Sequence, residues 1–134
     1  CGTEQDRPSI EAMVSLMDSE VPMVNCIGKT SILQFVSVIG QASCVVTNDT
    51  SAYHIAVAKQ VPTFLICGGY TYHRYAKYSY ARLGYRDPYL ITHKMNCFDC
   101  NNYCCRKLGP SGIFPCIELI DTKTVADTIL NVIS

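Results

Sequence analysis

The stretch NDTSAYH, Asn48 to His54, places an acid, two small hydroxyls and an imidazole between the apolar run CVVT and the helix-like run IAVAKQ. Where a buried strand hands over to a helix, that set is suited to holding an anion. The first amides of a helix have no intrahelical partner and carry a partial positive charge, so a phosphate meets N–H donors there. Thr50 and Ser51 are small enough to admit an anion and can add hydroxyl donors, and His54 follows about one turn into the helix. Asp49 would repel a phosphate, which leaves it to cap the helix or to orient a neighbouring donor. An Asp-Thr-Ser run before a helix also serves as a cap with no ligand, and the heptad alone does not choose between cap and cradle.

A second concentration of chemistry lies in HKMNCFDCNNYCCRKLGPSGIFPC, where five of the nine cysteines follow the pattern C-x2-C-x3-C-C-x10-C. Cys97, Cys100, Cys104 or its neighbour Cys105, and Cys116 could supply four thiolates to a structural zinc. The usual second C-x2-C pair is missing, so disulfides and buried free thiols are open alternatives. Cys1, Cys26, Cys44 and Cys67 stand in strand-like surroundings and are expected in the core as small hydrophobes.

The elements that must carry these groups alternate. Ile10, Met13, Val14 and Met17 recur at helical spacing after Pro8, followed by MVNC as a short strand. Ser31 and Gln34 form a capping-box pattern ahead of an apolar stripe of Ile32, Phe35, Val36 and Ile39 that Gly40 closes, and CVVT is the next strand. A third step runs from about Thr50 to Lys59 and leads through Pro62 into the strand TFLIC and the pair Gly68-Gly69. Val125, Ile129 and Val132 mark a final amphipathic helix after Thr122 and Thr124. Strands alternating with helices predict a single α/β domain, residues 1–134, with a Rossmann-like parallel sheet covered by helices on both faces. In such sheets ligands gather beyond the C-terminal strand ends, where NDTSAYH falls.

Composition narrows the function. The chain has 134 residues, 49% of them apolar, with eleven basic residues balancing eleven acidic ones. That is enough for a core, and the charge balance argues against a nucleic-acid partner. No apolar run approaches the roughly 20 residues of a membrane span. The opening at Cys1, in what reads as the end of a strand, suggests a C-terminal fragment whose N-terminal portion is absent. Gly28-Lys29-Thr30 resembles the end of a P-loop, but Met23 stands where that motif needs glycine, and no G-x-G-x-x-G occurs. Lys29 reads as a solvent-facing residue. The segment YTYHRYAKYSYARLGYRDPY, residues 70–89, holds seven of the nine tyrosines with His73, Arg74, Lys77, Arg82 and Arg86. Such a segment could wall an acceptor cleft, but it fits a surface helix or a domain interface better.

From Ile27 to Gly69 the blocks IGKTSI, VVTNDTSAYH and VPTFLICGG resemble, in order and spacing, the C-terminal domain of glycosyltransferase family 9, the ADP-heptose:lipopolysaccharide heptosyltransferase-like enzymes. CIELIDTKTV is similar to the approach to that family's last helix. Ser51 departs from the pattern, which has glycine there. The resemblance implies the C-terminal half of a GT-B enzyme, with Thr50, Ser51, Ala52 and His54 facing the donor diphosphate and Asp49, which matches the motif's Asp, completing the substrate-binding set there. His54 would stabilise the leaving group, and Glu4 would accept the ribose hydroxyls. Residues 26–31, Thr30 and Ser31 among them, would lie near the base. It implies a nucleotide diphosphate sugar of ADP-heptose type as donor and a glycan or glycolipid such as lipopolysaccharide as acceptor. No cofactor is needed for transfer, the acceptor base comes from an N-terminal domain, and the enzyme works in the cytoplasm, peripheral to the inner face of a bacterial membrane. The competing reading is a non-catalytic nucleotide-binding or protein-interaction module.

Overall fold

The computed structural model describes residues 1–18, 20–79 and 84–133. The chain forms two compact units, residues 1–38 and 39–134. In the first, a 3-10 turn at Glu4–Asp6 leads into α1, Arg7–Val14, with Pro8 in the first turn where its missing N–H costs nothing. Ile10 and Val14 are half-buried, whereas Met17 lies beyond the helix end and is exposed. The expected strand MVNC does not form: residues 23–26 pair with no strand among the described residues, and Val24 is 84% exposed. Apolar, β-branched composition favours a strand only where a neighbour and a buried face exist.

Helix α2, Ile32–Gly40, starts as its sequence predicts. The Ser31 amide donates to Gln34 Oε1 at 2.8 Å, and the Gln34 amide donates to Ser31 Oγ at 3.3 Å, a reciprocal capping box. Of its apolar stripe, Phe35 and Val36 are half-buried and Ile39 is buried, but Ile32 in the first turn is 66% exposed.

The second unit holds the sheet, a parallel ladder β1-β2-β3 of Val45–Thr47, Thr63–Ile66 and Tyr89–Ile91. Val46 pairs with Phe64, and Phe64 pairs with Tyr89, whose ring stacks on it at 4.9 Å. In the central strand Thr63, Phe64 and Leu65 are all buried, which is why TFLI reads as a continuous apolar run and not an alternating one. The third strand was not expected; it hides in the tyrosine-rich composition. Tyr80 and Arg82 of that segment lie outside the described residues.

Between β1 and β2 runs α3, Ser51–Ala58, packed on both strands. Tyr53, Ala56 and Val57 are its buried face, at i, i+3 and i+4. Its end is a Schellman motif, in which the Val61 amide donates to the Ala56 carbonyl and the Gln60 amide to Val57, with Gln60 left-handed at φ 58°. Tyr53, Val57, Leu65, Cys67 and Ala76 form the core cluster, on which Tyr72, Tyr78 and Leu90 pack. Two further helices follow, α4 at Pro115–Glu118 and α5 at Thr122–Ile133. Asp121 begins α5 by accepting from the Thr124 amide and hydroxyl at 2.8 and 2.7 Å, and these bonds hold its carboxyl below the usual range. Val125, Ile129 and Val132 are half-buried, as their spacing predicts.

Among the described residues no helix is long and apolar enough to cross a membrane. Of the cysteines expected in the core, Cys67 is buried and Cys26 and Cys44 are half-buried, but Cys1 is exposed: residues 1–3 are not in a strand that would cover it.

Candidate active site at the junction of strand β1 and helix α3

Strand β1 ends at Thr47 and α3 begins at Ser51, so Asn48, Asp49 and Thr50 make the turn beyond the C-terminal end of the sheet. Thr50 is the N-cap residue, in extended backbone at φ −141°, ψ 175°. It makes no side-chain cap hydrogen bond; its hydroxyl lies 3.3 Å from the Thr47 hydroxyl instead. The cap is therefore Thr50 and not Asp49; the Tyr53 amide donates to the Thr50 carbonyl at 3.0 Å, and the Thr50 hydroxyl leaves the Ser51 and Ala52 amides to another acceptor. Ser51 is exposed and Ala52 half-buried at this opening.

Asp49 lies beside the His54 imidazole. Its Oδ1 lies 3.8 Å from His54 Nε2, and its side chain is only 20% exposed. Its charge reaches the neighbouring strand end: burial, then the Asp49 carboxylate, then Cys116 push the Cys67 thiol up to about 12. Burial, with the charges of Cys116 and Asp49, also raises the Tyr70 phenol.

Sequence reasoning missed what stands on the far side of the imidazole. His54 Nδ1 lies 2.7 Å from the Tyr78 hydroxyl, and the two rings meet edge to face. Tyr53, fully buried, packs on both rings and donates its hydroxyl to the Ala76 carbonyl, at the end of a π-helical turn, Tyr72–Ala76. Part of the tyrosine-rich segment is thus a wall of the junction. The only signal in the sequence was the density of tyrosines, since Tyr78 lies 24 residues from His54 and shares no periodicity with it.

Glu4, Thr30 and Ser31 belong to the first unit. Glu4 sits in the 3-10 turn, not after a strand, and accepts from Arg7 Nε and Nη2 at 2.8 and 2.7 Å. That bidentate pair, aided by the charges of Arg7 and Lys29, lowers the Glu4 carboxyl although partial desolvation opposes it. Each oxygen keeps a lone pair for a further donor. The carboxylate also lies against Gly28, at φ 63°, where a Cβ would collide with it. Ser31 is engaged in the α2 capping box; Thr30 is half-buried and Lys29 exposed.

The four cysteines taken as zinc ligands, Cys97, Cys100, Cys104 and Cys116, all line one small cavity with Tyr70, Phe98 and Arg106. Cys105, the other choice at its position, is exposed and outside that lining. All nine cysteines are free thiols. Among the described residues no three His, Cys, Asp or Glu are gathered so that they could hold a metal ion as they stand. Burial, then the Cys104 and Cys97 thiols, raise the Cys100 thiol. Asp99, Asn101 and Asn102 are left-handed, a conformation these short polar side chains tolerate. The loop is tied to the tyrosine segment by the Asn102 amide on the Tyr70 carbonyl, by Tyr72 against Phe98, and by a hydrogen bond between the His73 imidazole and the Asp99 carboxylate.

The family model described as glycosyltransferase family 9 (heptosyltransferase) matches residues 1–107. The chain belongs to glycosyltransferase family 9. No curated protein and no solved structure matches it. Family 9 sets the reaction class, sugar transfer from a nucleotide sugar to a glycan acceptor. The matched stretch holds the whole parallel sheet, the Asp49–His54 junction and Tyr78, and it ends before Cys116, α4 and α5.

Proposed function

We propose that this chain is the donor-binding half of a GT-B glycosyltransferase that moves a heptose-like sugar from a nucleotide diphosphate to lipopolysaccharide or another surface glycan. The observation that carries the reading is the start of α3, at the C-terminal end of a parallel sheet, where the side chain of the N-cap Thr50 makes no cap hydrogen bond. As the bond from the anomeric carbon to the phosphate oxygen breaks, its electron pair stays on the leaving diphosphate. The α3 amides, the Thr50 and Ser51 hydroxyls and an Nε2–H of His54 offset that charge. The acceptor hydroxyl loses its proton to a base from an N-terminal domain, and Glu4 accepts hydrogen bonds from the ribose diol. The work takes place in the cytoplasm at the inner face of a bacterial membrane. No cofactor enters the transfer. For the cysteine cavity we propose a structural zinc, supported by the convergence of Cys97, Cys100, Cys104 and Cys116 on one space and requiring their side chains to rotate together.

The test is calorimetric titration with a panel of nucleosides, nucleoside diphosphates and their sugar conjugates. Diphosphates should bind and free nucleosides should bind more weakly, since helix amides read phosphate and not sugar. Equal affinity for nucleoside and diphosphate would refute the reading and favour an interaction module.

A further inference from the structure

We propose that Tyr78 is a positioning residue for the diphosphate site: its phenolic hydroxyl donates to His54 Nδ1 and so fixes the imidazole tautomer that carries its proton on Nε2. The inference rests on the diphosphate reading for its purpose, but not for its geometry.

A neutral imidazole has one N–H and one bare nitrogen, and which is which depends on the partners of each. Here the two partners differ in kind. Nδ1 faces a phenol at 2.7 Å, and Nε2 faces the Asp49 carboxylate oxygen at 3.8 Å. A carboxylate only accepts, so a bare Nε2 would set a lone pair against an anion; an Nε2–H points its positive end there. Nδ1 is then the bare nitrogen and needs a donor, and the Tyr78 O–H supplies it. The same Nε2–H is the group that can turn to a phosphate oxygen at the start of α3. Without the phenol, Nδ1–H becomes competitive, and the imidazole would show the phosphate a lone pair in that fraction of molecules.

Tyr78 is held for this task. Its ring packs on Tyr53 at 5.7 Å, and the Tyr53 hydroxyl binds the Ala76 carbonyl two residues before it. The phenol is fixed to the helix that carries His54 by one fully buried side chain.

The experiment uses the whole 134-residue chain with 15N-labelled histidine, at about pH 8.5, where an ordinary imidazole is neutral. Nitrogen–proton correlation spectra should show His54 with a pyrrole-type Nε2 and a pyridine-type Nδ1. Tyr78→Phe, which keeps the ring on Tyr53, should give an averaged signature for His54 and leave His73 and His93 unchanged. ADP affinity should fall roughly three- to tenfold, the range expected for one lost hydrogen bond. A parent His54 protonated on Nδ1, or a Tyr78→Phe spectrum identical to the parent's, would overturn the proposal. A parent His54 protonated on Nδ1 overturns the proposal even if the variant does not fold. Failure of ADP to bind the parent would refute the diphosphate reading, and the tautomer would still judge Tyr78.

Discussion

The β1–α3 junction and the cysteine loop are both dense in reactive side chains, yet they are built in opposite ways. At the junction, regular elements do the placing: a ladder ends at Thr47, a helix starts at Ser51, and Asp49 and His54 face each other across one turn. In the loop from Cys97 to Cys105, left-handed Asp99, Asn101 and Asn102 replace regular structure, and ring contacts with the tyrosine segment hold it in place. Four thiols reach one cavity without gathering at a point. A site carried by helix and strand is set when the core folds, whereas one carried by a loop needs its ligand to complete it.

The largest effect is expected in the sheet whose strand end carries the junction. Phe64→Ala empties a fully buried position in the central strand, beneath the Tyr89 ring, and is expected to cost about 3–5 kcal/mol of unfolding free energy in urea titrations. Cys104→Ser in the loop should cost far less in the same assay; an equal loss would mean that the loop is as much a part of the core as the strand.

His54→Ala should weaken ADP binding by about 1–3 kcal/mol, the scale of a hydrogen bond to a charged group, with circular dichroism unchanged. Ser51→Gly, at the exposed start of α3, should preserve or improve binding because it opens the backbone to the anion. Calorimetry on both variants separates a phosphate cradle from a plain helix cap, for which neither substitution would alter affinity.

Zinc tests the other half of the contrast. One equivalent should bind the parent and Cys105→Ser, and Cys104→Ser should lose it, as followed by elemental analysis and thiol titration. Thiols protected without metal and released by reductant would identify disulfides and refute the site.

The smallest effect concerns pH. Cys67 has its thiol pushed up to about 12 in the fold, mainly by burial, so the folded state favours the protonated form. Its contribution to stability is complete below the ordinary thiol range near 9 and is lost as pH rises from there toward 12. Alkylation at pH 8 followed by mass spectrometry should modify exposed Cys1 and Cys105 first and Cys67 last. Early modification of Cys67 would place it outside the core.

Legibility in the sequence followed the same divide. The Ser31–Gln34 box, the continuous TFLI run and the α5 stripe were readable because local hydrogen bonds and one-face burial leave a period in the chain. MVNC failed because a strand depends on a neighbour that composition does not reveal. The Asp49–His54 side of the site could be read from six successive positions. Its Tyr78 side could not, since that contact is made by the return of the chain through a π-helical turn.

Tyr53 has a consequence for the energetics of binding. It is wholly buried, joined to Ala76 by its hydroxyl, and next in sequence to the imidazole proposed to meet the diphosphate. The side chain beside the reacting group is immobilised by folding itself, so little configurational entropy is left to be lost when a nucleotide arrives. On the proposed donor reading the junction is preorganised: its dipoles point to the place where charge would develop before any charge is there, and the reorganisation that water would require is avoided.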